Sequence, residues 1–172
     1  MTGTANRNPM IAFKKKVVLS SYCYGIMALA MILICSVFVY TLKQPDNDWV
    51  LYLLSSFALL LLLIPLFFAP RSIALDDNSL SIICPLRTRS IPLAEIADVR
   101  LCAPTMGAIR TFGCAGWFGY YGWFRENDIG RYFAYYGKAS DCFLVTLKNG
   151  RKYMLGCKDA PEMTGKLKNK LA

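Results

Sequence analysis

The sequence predicts an α+β membrane protein: an N-terminal two-helix transmembrane hairpin, then a small β-barrel or bent sheet of about seven strands with a C-terminal α-helix. Three observations carry that expectation. Two long apolar runs, residues 17–42 and 49–69, contain no charged residue, and only Lys-Gln-Pro-Asp-Asn-Asp at 43–48 separates them. From Arg71 onward the pattern changes to short alternating stretches broken by turn residues. The chain then closes on a run with apolar residues four apart, Met163, Leu167 and Leu171.

A hydrocarbon core about 30 Å thick requires roughly 20 apolar residues of helix. The two runs are 26 and 21 residues long, so each can span. This divides the chain into a basic N-terminal segment (1–16), a hairpin (17–69, helices 17–42 and 49–69, outer loop 43–48) and a C-terminal domain (71–172). Charge then orients it. Arg7, Lys14, Lys15 and Lys16 precede the first run with no acid among them, and the outer loop sets Lys43 against Asp46 and Asp48. The region from Arg71 onward carries 15 basic against 9 acidic residues. Basic flanks stay cytoplasmic, so both termini are expected in the cytoplasm and the loop outside.

The first run is expected to be retained. Ala28-Leu29-Ala30 superficially fits a cleavage site, but the apolar stretch continues to Leu42, which suits a span better. Tyr22 and Ile34, preceding Cys23 and Cys35, are too bulky for a lipoprotein site. Neither run carries the ionisable residues that mark ion paths and proton relays, so a transporter or channel finds no support. Ser21-x-x-x-Gly25 permits close helix approach, most naturally by the second span of the same chain, with a dimer contact as the alternative. Tyr40 and Trp49 flank the loop where an aromatic belt is expected. Pro65 and Pro70-Arg71 end the second span.

Composition removes several function classes. Histidine is absent from all 172 residues, which takes away the commonest general base and the usual zinc nitrogen ligand. Seven cysteines occur without a Cys-x-x-Cys pair, so neither a zinc site nor a disulfide framework is expected. They read as buried thiols in a reducing compartment. Glu95, Asp98, Glu126 and Asp128 are scattered carboxylates with no nucleophile or metal partner, and read as solvated loop or strand-edge charges. No catalytic residue, metal or cofactor is expected, and the protein reads as a non-enzyme.

In the C-terminal domain, residues 72–76 and 80–85 are expected as strands around the turn-like Asp76-Asp77-Asn78-Ser79. Residues 90–93 and 97–103 follow. The clearest hairpin joins 142–148 to 151–156 through Asn149-Gly150, a type I′ signal. Phe143, Val145 and Leu147 alternate onto one face, matched by Tyr153 and Leu155. For the closing helix, Asp159 is the expected cap, Pro161 sits in the first turn and Glu162 completes a capping box. Lys166, Lys168 and Lys170 fill the last turns, favourable for the helix dipole.

This order resembles the pleckstrin-homology (PH) fold, specifically the bacterial PH-like domains of small membrane-anchored proteins. Three stretches carry the likeness: the strand pair at 72–82; Ile91-Pro92-Leu93-Ala94-Glu95-Ile96, similar to the family's I-P-x-x-E-I step; and the glycine-aromatic stretch at 112–124, followed by Gly130 and a strand through 132–136. The resemblance covers about 71–171. It implies the fold and, with the two apolar runs, a multi-pass protein of the bacterial inner membrane; ligands in the family are largely unknown, so it carries over fold far better than function.

Gly113, Gly116, Gly119 and Gly122 recur every third residue among Trp117, Phe118, Tyr120, Tyr121, Trp123 and Phe124. The stretch is too short and proline-poor for collagen, and lacks the lysine of a P-loop. Three readings remain open: a bent strand filling a small core, a membrane contact helped by Arg110, Arg125 and Arg131, or a protein-binding surface. A separate lipid-headgroup reading uses Lys14, Lys15, Lys16, Arg87 and Arg89. The acidic 76–79 loop stands where inositide-reading PH domains are basic, so inositide specificity is not expected. The expected function is a cytoplasm-facing interaction or scaffold domain tethered to the membrane, partnered by a protein or a second copy. Direct binding of anionic lipid headgroups is the alternative, and no nucleic acid partner is expected.

Overall fold

The computed structural model describes residues 13–43, 49–105 and 107–171. Arg7 and all but Lys43 of the expected outer loop lie outside the described residues. Helix α1 (Ser21–Lys43) and helix α2 (Trp49–Phe68) follow the two apolar runs. Among the described residues α1 is the one helix long and apolar enough to cross a membrane; the apolar helix at Trp49–Pro65 is shorter. The two helices pack against each other.

The first helix starts four residues later than its apolar run. Its leading residues instead bind the sheets. Strand β1 (Phe13–Lys16) pairs antiparallel with β2 (Ser72–Leu75), Phe13 opposite Leu75 and Lys16 opposite Ser72. The Val17 amide donates to the Arg71 carbonyl at 3.0 Å, and the Ser20 amide to the Gly137 carbonyl at 3.1 Å. A short segment between strand and helix leaves backbone groups needing partners, and the sheets supply them. The lysine segment, expected as a basic N-terminal run with candidate headgroup ligands, is therefore the edge strand of a sheet.

Two sheets form the domain. The first runs β1-β2-β3-β4, with β3 at Ser79–Ile83 and β4 at Thr88–Pro92. A single 3-10 turn, Leu93–Glu95, joins it to the second. That sheet runs β5-β9-β10-β8-β7-β6, with β5 at Ile96–Leu101, β6 at Ile109–Ala115, β7 at Tyr120–Glu126, β8 at Gly130–Tyr136, β9 at Cys142–Leu147 and β10 at Lys152–Gly156. Its pairs are antiparallel except β8 with β10. Among the described residues nine strands of the C-terminal domain, with β1 as a tenth, thus replace about seven. The glycine-aromatic stretch folds as a hairpin of two strands, and β1 comes from outside the expected domain.

The first core lies between the sheets, where Ile73, Leu75, Leu80 and Ile82 meet Phe143, Val145 and Leu155. Helix α3 (Ala160–Leu171) closes its open end, packing on β5 and β9. Met163 and Leu167 are fully buried there, each contributing about 2 kcal/mol of transfer free energy. A second core covers the opposite face of the larger sheet around Phe124, Tyr132, Leu144 and Met154.

Two local expectations are corrected. Of Asn149 and Gly150 only Gly150 has positive φ, at 79°. The Leu147 amide donates to the Arg151 carbonyl at 2.8 Å and the Gly150 amide to the Leu147 carbonyl at 2.9 Å. This is a three-residue loop with a left-handed glycine, not a type I′ turn. Asp159 does not form a capping box either. Its φ of 58° is far from the extended geometry of an N-cap, and its carboxylate accepts from Lys15 Nζ at 3.0 Å. Glu162 accepts from the same ammonium at 2.7 Å, so both acids tie α3 to β1.

Candidate interaction surface

The period-three glycines have two structural causes. Gly113 and Gly122 face each other across β6 and β7, with φ of 125° and 123°. A Cβ on Gly113 would lie 2.3 Å from the Tyr121 carbonyl oxygen, and one on Gly122 equally close to that of Phe112. Only two glycines allow this crossing. Gly116 and Gly119 flank the tip, where the Gly116 amide donates to the Gly119 carbonyl at 3.0 Å. The tip lies against the root of α1: Gly116 meets Ile26 and Tyr22, and Gly119 meets Leu19.

Register assigns the aromatics to faces. Phe112, Trp123 and Phe133 stand in one row across β6, β7 and β8, with Cys114, Tyr121 and Tyr135 in the next. Ile109, Arg125 and Arg131 form a third row on that face. Phe124 and Tyr132 point to the other face and stack there in the second core.

The first face is open. Phe112 is 78% exposed and Ile109 68%, on an edge strand. Trp123 is half-buried, with the Arg131 guanidinium 4.4 Å from its ring and Phe133 edge-on at 5.1 Å. Tyr121 is buried under Phe68 of α2, rings stacked at 6.3 Å. Between this face and the helices runs a cleft of about 990 Å³, lined by Ile34 of α1, Ala58 and Ile64 of α2, and Phe112, Trp123 and Phe133 of the sheet. Among the described residues Arg110 is the one charged residue beside it, at a position whose cross-strand partner is Phe124 of the other face.

The other face is closed, and a carboxylate helps close it. Glu126, 3% exposed, accepts from the Thr105 amide at 3.1 Å, from Thr105 Oγ1 at 2.8 Å and from the Tyr132 hydroxyl. Burial pushes the Tyr132 phenol above its ordinary value, and the hydrogen bond to Glu126 adds to the shift. Glu126, expected as a solvated strand-edge charge, is thus a buried clasp that holds the β5–β6 loop down. No motif announced it, since its donors come from a loop 21 positions away and from the next strand. Glu95, Asp98 and Asp128 are exposed.

The expected site residues separate accordingly. Trp117, Phe118, Tyr120 and Trp123 are half-buried, while Arg110, Arg125 and Arg131 are exposed. Trp117 and Phe118 meet edge-on at the tip, and Tyr120 stacks on Tyr136 at 4.8 Å on the closed side. Phe124 is a core residue on the closed face, and Tyr121 is buried but lines the cleft. Of the expected headgroup ligands, Lys15 is held by Asp159 and Glu162, which raise its pKa. Arg89 donates to the Tyr153 hydroxyl at 2.6 Å. Lys14, Lys16 and Arg87 are exposed, and the lysines lie on a different sheet from the aromatic hairpin.

All seven cysteines are free thiols. Burial pushes Cys84 up to about 11 and Cys157 up to about 12, so these thiols are inert near neutrality. Among the described residues no group of three or more metal-binding side chains comes together.

Two packed sheets closed by a C-terminal helix, with an exposed aromatic edge, have the architecture of a PH-like binding module. The family model for the bacterial PH domain matches residues 71–171. The chain belongs to that family, whose fold generally serves non-catalytic interaction. No curated protein and no solved structure matches the chain.

Proposed function

We propose that this protein is a non-enzymatic, cytoplasm-facing PH-like scaffold held in the bacterial inner membrane by α1 and α2 as a two-span hairpin. The observation that carries the reading is the exposure of most of the apolar surface of both helices. Leu29, Ile32, Leu42, Trp49, Leu53, Phe57 and Leu60 all project away from protein. A helix apolar all round belongs in a protein core or in lipid, and these helices are not in the core. Tethering then raises the local concentration of the domain, so weak contacts with a protein partner become effective. The exposed β6 edge, with Phe112 and Ile109, is the partner surface.

Topology is tested with fusions to the full chain. A phosphatase inserted in residues 43–48 should be active outside, and a fluorescent protein after Ala172 should fluoresce in the cytoplasm. Extraction of the protein by alkaline carbonate would overturn the anchor; an active phosphatase at the C-terminus would overturn the orientation. A second reading, direct contact with anionic headgroups, is favoured by Arg110, Arg125 and Arg131, none of which forms an ion pair among the described residues.

A further inference from the structure

Neither apolar helix hangs from the domain on a slack linker. Strand β1 runs into α1 through residues 17–20, and each of the four is held. The Val17 amide donates to the Arg71 carbonyl and the Ser20 amide to the Gly137 carbonyl. The Val18 carbonyl packs so closely on Gly137 that a Cβ there would lie 2.3 Å from its oxygen, and Leu19 lies against Gly119. On the other side α2 reaches β2 through Ala69, Pro70 and Arg71 alone. The first two are buried, and the Arg71 amide donates to the Ile83 carbonyl at 2.8 Å. The β1–β2 ladder is therefore the direct continuation of the two helices.

Beyond the ladder lies α3. The Lys158 amide donates to the Lys16 carbonyl at 2.9 Å, and the Lys15 ammonium bridges Asp159 and Glu162. Phe13 packs on the first core with Lys166 Nζ 3.5 Å from its ring centroid. Strand β1 thus ties the root of α1 to the helix that closes the core. From this arrangement we propose that the β1–β2 ladder is a coupling device: relative movement of α1 and α2 opens it and loosens α3, so the domain responds to how its two helices are packed. The inference rests on the hairpin reading above and gives that hairpin a regulatory role besides anchoring. Register makes the device two-state. A ladder keeps its faces only when it slips by two residues, about 6.6 Å. A slip of one would set Lys14 and Lys16, now exposed, where Phe13 and Lys15 are half-buried. A smaller slide of the helices finds no slack, and the four pairs of the ladder open instead. Small shifts are amplified in this way where packed elements are bistable. Such coupling is reciprocal, so loosening α3 must also loosen the root of α1.

The test is amide hydrogen exchange on the full chain, in phosphatidylcholine nanodiscs and in mild detergent. Gly137→Val pushes on the Val18 carbonyl without substituting any residue of β1 or α3. It should speed exchange in both of those elements about fivefold, with β9 and β10 as protected as before. Lys15→Met cuts β1 from the acids of α3 and leaves the helix roots untouched. It should speed exchange at the hydrogen-bonded amides of Ser20, Cys23 and Tyr24 by about the same factor. Lys15 is an edge-strand residue only partly buried, so this variant keeps the test open if Gly137→Val fails to fold. Faster exchange confined to residues 17–20 in Gly137→Val overturns the proposal, as does a change confined to β1 and α3 in Lys15→Met. Loss of protection in β9 and β10 as well would mean general destabilisation and overturn it too. A chain that fails to insert in nanodiscs strikes the anchoring reading itself, while the coupling is still read in detergent, which distinguishes the two.

Discussion

The two faces of strand β7 belong to one stretch of chain and end in opposite states. Tyr120, Phe124 and Glu126 turn toward the second core, where every aromatic has a stacking partner and the carboxylate has three donors. Tyr121, Trp123 and Arg125 turn toward the helices and end in a cleft with an exposed arginine at the rim. The difference teaches that composition does not separate core from surface in such a segment. What separates them is strand alternation together with what each face meets: the β5–β6 loop on one side, and the apolar helices α1 and α2 on the other. Stability should be concentrated on the closed face and binding on the open one.

Gly122→Ala attacks both faces at once and should have the largest effect. Its Cβ would meet the Phe112 carbonyl oxygen at 2.3 Å, and its φ of 123° is one that L side chains rarely adopt. A loss of about 3 kcal/mol is expected, read as a lowered unfolding midpoint of the full chain in detergent. Gly150 supplies the contrast. It also has positive φ, but nothing lies within 4 Å of its would-be Cβ. Gly150→Asn should therefore change the midpoint little, since asparagine tolerates the left-handed region.

Breaking the closed face alone comes next. Glu126→Ala strips the Thr105 amide, Thr105 hydroxyl and Tyr132 hydroxyl of their acceptor. Buried donors left unmade cost the full desolvation penalty, so about 2–3 kcal/mol is expected. Tyr132→Phe removes one donor only and should cost about 1 kcal/mol. Hydrogen exchange should show the β5–β6 loop loosening in the first variant. An unchanged loop would mean that Glu126 does not hold it.

Much of this architecture was legible in the sequence, and the exceptions share a physical cause. The β2–β3 pair, the β9–β10 hairpin and the Met163–Leu167 stripe rest on local periodicity, which a sequence displays directly. The family likeness was legible too, since it depends on the order of such local features. Three things were hidden because they depend on partners far along the chain. Lys14–Lys16 look like a membrane-facing basic run, yet β2 makes them a strand. Glu126 looks like a turn acid, yet Thr105 and Tyr132 bury it. The glycine period looks like one bent strand, whereas Gly113 and Gly122 are cross-strand partners. In the candidate surface the aromatic residue types were evident; which of them face the cleft was not, because the bulge between Arg110 and Phe112 shifts the β6 register.

Exposed charge should matter less than the buried carboxylate. Lys15 holds Asp159 and Glu162 below the usual carboxylate range, chiefly by its hydrogen bonds to them. Acids with depressed folded pKa contribute stability above their unfolded values, near pH 4, and lose it as pH falls through the folded ones. Lys15 itself is raised, so its contribution is present below about pH 10.4 and fades as pH rises beyond it. Both acids are exposed to solvent and screened, and Lys15 is partly so, so the clip between α3 and β1 should weaken only slightly on acidification below about pH 4. In Lys15→Met that acid-dependent part should vanish, measured as the difference in unfolding midpoint between pH 7 and pH 3. An identical acid response in the variant would locate the titration elsewhere.

The smallest change in stability should come from the open face, and there it should be uncoupled from function. Phe112 is 78% exposed on an edge strand, so Phe112→Ser removes almost no buried area and should shift stability by less than about 0.5 kcal/mol. Its ring nevertheless forms one wall of the cleft and the apolar tip of the β6 edge. Crosslinking in intact membranes followed by co-purification should recover less partner or less lipid with the serine variant at equal folded protein. A matching Phe124→Ser on the closed face should do the reverse and lower the stability by about 3 kcal/mol, since that ring is 3% exposed and stacked on Tyr132. If both variants behaved alike, the two sides of β7 would not divide the work between folding and binding. The alternation of one strand would then carry no functional meaning.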